Sequence, residues 1–290
     1  MIYFKIYEKK YDFILKFLLQ RFTLDYLNLI GVKTFTTQEF LDNELKFQTK
    51  ISDAVIKLNN YLIHLEFQNK YYNKYYKDIP KRILEYAVRL ESKYNLPVSS
   101  YLILLKEPSR KNLPVPSKYE WENEKGEKIL SFRYKVINIW ELERDKWENY
   151  DGLIPLLPLM KGDEKIEEYM PRYKEKIKQL NISKDDKANI GTCLAIISGI
   201  KYNLEEIRKI WGDIMIVSPL YKEILDKGKI EGKIEGLKES ILTMVELEFN
   251  KVPQNIKKKI EEINSIDKLR IILKTLKNIH TIEELDKFLI

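Results

Sequence analysis

One cysteine and two histidines are all that this 290-residue chain offers to thiol and imidazole chemistry. Cys193 alone excludes an internal disulfide framework, and His64 and His280 leave no Cys/His cluster for a structural zinc. A long apolar run is missing too. Charges enter every turn of the opening MIYFKIYEKKYDF, and no segment approaches the roughly 18 apolar residues of a membrane span. These absences predict a cytoplasmic protein in a reducing compartment, with no membrane partner.

What the chain has is apolar residues and charge. Hydrophobic residues make up 44% of it, enough for one well-buried core and a smaller second unit. Lysine and arginine outnumber aspartate and glutamate by 51 to 44, a surplus that leans towards polyanionic partners without demanding them.

Between Phe4 and Leu29 apolar residues recur at helical spacing, with Tyr11, Leu15, Leu18 and Phe22 on one stripe, which predicts an amphipathic helix or helix pair. Residues 49–58 and 61–68 alternate apolar and polar around Asn59-Asn60, the pattern of a hairpin closed by a two-residue turn. Asp78 and Pro80 open a helix with Ile79, Ile83, Ala87 and Leu90 as its buried stripe. LPVSSYLILLK reads as a central strand, and KYEWENEKGEKILSFRYKVINIW as a hairpin turning near Gly126. GLIPLLPLMKGDE closes this α/β part, and everything beyond reads as helix, with capping boxes at Ser183–Asp186 and Thr281–Glu284. The GKIEGKIEG repeat at 228–236 predicts a weak or closely packed helix at a boundary.

A turn of two residues makes cross-strand partners sum to 119, so Asp53 is expected opposite Glu66. Ala54, Ile56, Leu58, Ile63, Leu65 and Phe67 then share one apolar face. Asp53, Val55, His64, Glu66 and Gln68 share the other. Like charges so placed destabilise a sheet, whereas two converging carboxylates seat a hard divalent cation. Such an ion polarises a phosphoryl oxygen and acidifies bound water, as phosphodiester hydrolysis requires. Gln68 could orient that water. The competing reading of the same spacing is an acidic pair on a solvated strand face.

SDAVIKL followed by YLIHLEFQ resembles the D-(x)n-E-x-Q variant of the PD-(D/E)XK nuclease motif, in the pattern of the Rpn family of recombination-promoting nucleases. YDFILKFLL is similar to the opening helix of that family. PKRILEYAVRLESKYNLPVSSYLILL is similar to its second helix and next strand, and GKIEGKIEG to its glycine-rich carboxy-terminal repeat. The resemblance implies a restriction-endonuclease-like core, a mixed sheet flanked by helices, followed by an all-helical carboxy-terminal region. The expected division is a nuclease domain at 1–160, a helical region at 161–227 and, after the glycine repeat, a small helical segment at 228–290. Asp53 and Glu66 become the metal-binding carboxylates, with Mg2+ the expected ion and Mn2+ a substitute. Gln68 stands where many such enzymes carry lysine, which removes a positive charge that would stabilise the transition state. Asp12 is the candidate for a further acidic residue from the first helix, with an ordinary surface ion pair to Lys16 as the equal alternative.

The stretch after the motif strand interleaves Lys70, Lys74, Lys77, Lys81, Arg82 and Arg89 with tyrosines, which suits phosphate neutralisation and base stacking. DNA is accordingly the expected partner, against a solvated helix face with core tyrosines. His64 could assist Glu66, though a lone strand histidine more often serves structure. The sequence leaves a homodimer open. It also leaves open a reading from another class, a DNA-binding or protein-interaction module whose acidic pair no longer turns over.

Overall fold

A computed structural model of the chain describes residues 2–33, 38–41, 54–69, 78–108, 115–162 and 165–289. The opening stripe forms two helices, α1 (Ile2–Arg21) and α2 (Thr23–Leu29), and buries Tyr11, Leu15 and Leu18. The hairpin follows in the expected register. Strands β2 (Ala54–Leu58) and β3 (Tyr61–Gln68) pair Leu58 with Tyr61, Ile56 with Ile63 and Ala54 with Leu65. Asn59 takes the left-handed backbone, φ 45°, that asparagine tolerates better than most residues. A short strand that the alternation does not announce, β1 (Gln38–Leu41), pairs antiparallel with β2.

Helix α3 (Asp78–Tyr94) has Asp78 and Pro80 in its first turn and buries Ile79, Ile83, Ala87 and Leu90 as the stripe predicts. It carries the chain across to β4 (Val98–Leu104), which runs parallel to β3, since parallel neighbours need a crossover rather than a tight turn. Strands β5 (Lys118–Glu122) and β6 (Lys128–Arg133) form a separate hairpin turning through Gly126 at φ 77°. Strand β7 (Lys135–Asn138) then returns parallel to β4. The main sheet therefore has the order β1-β2-β3-β4-β7, and the fold is mixed α/β. Its middle strand, β3, is buried on both faces.

The proline-punctuated segment Asp151–Leu159 is a 3-10 helix buried from Gly152 to Leu159. After it come α4 (Ile166–Gln179), α5 (Lys184–Ser198), α6 (Leu204–Val217), α7 (Pro219–Phe249), α8 (Gln254–Glu262), α9 (Ile266–Thr275) and α10 (Ile282–Phe288). Both predicted boxes place their N-cap. Ser183 Oγ accepts from Asp186 N at 3.0 Å, and Thr281 Oγ1 from Glu284 N at 3.2 Å. In the second box the Glu284 carboxylate reaches back to His280 N at 2.9 Å.

The chain divides into two compact units, Lys9–Tyr221 and Lys222–Ile290 with Met1–Glu8. The sheet and helices α4 to α6 share the first unit, where α5 packs on the 3-10 segment. Gly228, Gly232 and Gly236 lie inside the uninterrupted α7, and a Cβ added at any of them would meet open space. The repeat is thus not closely packed. Lysine and glutamate between the glycines favour helix, and Ile241 and Val245 anchor the later turns of α7 in an apolar core. No helix among the described residues is long and apolar enough to cross a membrane.

Candidate active site

The face of β3 that carries His64 and Glu66 is not solvated. His64 is fully buried and Glu66 is 3% exposed. The sequence reveals which residues share that face but not that α3 covers it. The parallel register sets His64 beside Ser100 on β4, and His64 Nδ1 lies 3.1 Å from Ser100 Oγ. On the other side of the ring, Nε2 lies 3.2 Å from Glu66 Oε1. An ionised carboxylate only accepts, so Nε2 donates, and a neutral ring then accepts at Nδ1 from the Ser100 hydroxyl. Tyr86 of α3 packs edge-on against the imidazole, with centroids 5.5 Å apart.

The second oxygen of Glu66 is also engaged. Arg82, projecting from α3, donates from one terminal nitrogen to Glu66 Oε2 at 3.3 Å. That is longer than the about 2.7–2.9 Å of a strong charge-assisted bond and is made through one nitrogen rather than two. Arg82 Nε is buried with no hydrogen-bond partner among the described residues. An unsatisfied buried donor costs on the order of 1–3 kcal/mol, so the guanidinium is held by its charge more than by its fit. A carboxylate this deeply buried needs such a countercharge, because removing the partner of a buried ion is more costly than the pair is stabilising.

Gln68, the last residue of β3, lies two residues beyond Glu66 on the same face. It is partly exposed, and its carbonyl accepts from Leu105 N at 2.9 Å. Asp53, Lys70, Lys74 and Lys77 lie outside the described residues, as does the side chain of Asp12 on α1. Lys81 and Arg89 are exposed on the outer side of α3. With Leu84, Glu85, Val88 and Trp121 they line a shallow groove of about 320 Å³. Of the three described basic residues expected to meet DNA, Lys81, Arg82 and Arg89, it is Arg82 that is turned onto the carboxylate. The sequence contained the signal for this, since 79, 82, 83, 86 and 90 form one helical stripe and Arg82 is the charge within it. Ser100 carried no comparable signal. Cys193 is buried, and burial pushes its thiol well above the ordinary range, which leaves it protonated and inert.

Glu66 has the hard oxygen chemistry that Mg2+ and Mn2+ take. Among the described residues no group of three His, Cys, Asp or Glu side chains is gathered to hold a metal. Glu66 would therefore be the ion's ligand from this set, with Gln68 beside it, once Arg82 yields its oxygen. No family profile, no curated protein and no solved structure matches the chain.

Proposed function

We propose that the chain is a divalent-metal-dependent endonuclease with a restriction-endonuclease-like core, hydrolysing DNA phosphodiester bonds in recombination or mobile-element movement. The single observation that carries this reading is Glu66, a carboxylate buried in the sheet and held by His64 of its own strand and Arg82 of α3, with Ser100 of β4 fixing His64 in turn. Folding alone would be served as well by an apolar residue there. The D…E-x-Q resemblance assigns such a carboxylate to a metal. Bound there, the ion would polarise a phosphoryl oxygen and supply hydroxide near neutral pH. His64 fixes the rotamer of Glu66 through Nε2, and Ser100 fixes the ring in turn. Gln68, two residues on, would orient water or donate to a phosphate oxygen. Lys81 and Arg89 offer charge to the DNA backbone.

The engagement of both Glu66 oxygens favours the second reading, a DNA-binding or protein-interaction module in which this carboxylate is structural. Supercoiled plasmid incubated with purified protein, with and without Mg2+ or Mn2+, separates the two. Nicking that requires metal and disappears in Asp53→Ala and Glu66→Ala supports the nuclease. Equal residual nicking in wild type and both variants would reject it.

A further inference from the structure

Arg82 and a divalent cation have the same reason to sit on Glu66, and the geometry leaves little room for both. Glu66 Oε1 is taken by His64, itself fixed by Ser100 and packed against Tyr86. That side of the carboxylate is closed. Its other oxygen meets only the 3.3 Å contact from Arg82 among the described residues, and the Arg82 side chain is 32% exposed while that of Glu66 is 4%. Among the described residues Arg82 is the member of the cluster with a route to solvent, and its buried Nε has no hydrogen-bond partner there, so its present seat leaves a donor unused.

We propose that Arg82 is a resident cation on Glu66 that leaves when a divalent ion takes the carboxylate, so that loading the site and freeing a guanidinium are one event. The inference rests on the metal-dependent reading of Glu66. Its chemical logic is charge conservation in a dry place. The buried carboxylate keeps a countercharge in both states, and the arginine displaced is released only where an ion has arrived. A freed guanidinium at this position is suited to an anionic phosphate oxygen, which it can grip with two nitrogens. The positive charge that Gln68 does not provide is then delivered from α3.

The test compares wild type, Arg82→Gln and Arg82→Lys by thermal unfolding in EDTA and in saturating Mg2+ or Mn2+, and by titration calorimetry with the same ions. Arg82→Gln removes the competitor, so it should melt below wild type in EDTA, show a larger metal-induced rise and bind Mn2+ about tenfold more tightly. Arg82→Lys keeps a competing charge and should respond like wild type. Equal metal affinity in all three proteins, with a normal response in wild type, overturns the exchange and leaves the metal site standing. No metal response in any of them overturns the metal site and the exchange with it. Should Arg82→Gln fail to fold, the wild type decides. The Arg82 Nε–H resonance in arginine-labelled protein, assigned by its loss in Arg82→Lys, should move on Mg2+ addition, and an unmoved resonance at saturation overturns the proposal.

Discussion

The first unit and the carboxy-terminal helices solve burial in opposite ways. In the latter, Ile241, Val245, Ile256, Ile260, Leu269, Ile272, Leu276 and Leu285 form an apolar core, and the buried Lys238 donates to the Glu261 carbonyl near the end of α8 at 2.8 Å. Polar atoms there are satisfied at helix ends, as at Ser265 and Thr281. The middle of the sheet instead encloses an imidazole, a carboxylate and a hydroxyl, with an arginine reaching in from a neighbouring helix. The first arrangement maximises transfer free energy and asks nothing of geometry beyond close packing. The second accepts desolvation and recovers it through four mutually dependent contacts. Stability explains the first. On the proposed reading, the second keeps a carboxylate for a metal.

That contrast can be broken by substitution. The largest effect is expected in the apolar core, where Leu269→Ala should cost about 2–5 kcal/mol by urea unfolding, and the proposed metal-dependent nicking should persist at low temperature. A loss of nicking by the folded variant would mean that the carboxy-terminal helices complete the site. Next comes Ser100→Ala, which strips His64 Nδ1 of its partner and should cost roughly 1–3 kcal/mol. Its signature is that nicking falls by more than the unfolded fraction explains. A variant as active as wild type would show that Ser100 does not position His64. The smallest effect has the opposite sign. Gly232→Ala, in the interior of α7 with open space around it, should stabilise by up to about 1 kcal/mol. A lower melting temperature would mean that something covers that face in solution.

The sequence was informative where a local rule acts alone. Strict alternation on either side of Asn59-Asn60 fixed the hairpin register, because sliding one residue would turn the entire apolar face outward. The stripe of α3 and the caps at Ser183 and Thr281 are equally local. β1 was not legible, since four residues are too few for a periodicity. Nor was the burial of Glu66. Alternation tells which side chains share a face and is silent on what lies over it, and α3 does so through tertiary packing alone. The Arg82 contact belongs to the same class, because it joins residues sixteen apart on two elements. The glycine repeat lies in helix as its reading predicts, though without the close packing that was one of its two alternatives. Its local cost is real, but the long helix around it outweighs that cost.

The mixed pairing of β3 also bears on the order in which the molecule assembles. Its antiparallel partner β2 is two residues away, so that hairpin can close within microseconds, before any distant segment has found its place. Its parallel partner β4 cannot join until residues 69–97 have been looped back with α3 formed among them, a slower search against chain entropy. During that interval Glu66 stands on a nascent ribbon with water on its open face. The helix that finally excludes the water is the one that carries Arg82, so the anion and its countercharge leave solvent in a single docking step. Sequestering a carboxylate early and alone would have raised a barrier of several kcal/mol. The topology avoids it by making the lid and the neutralising charge the same piece of chain.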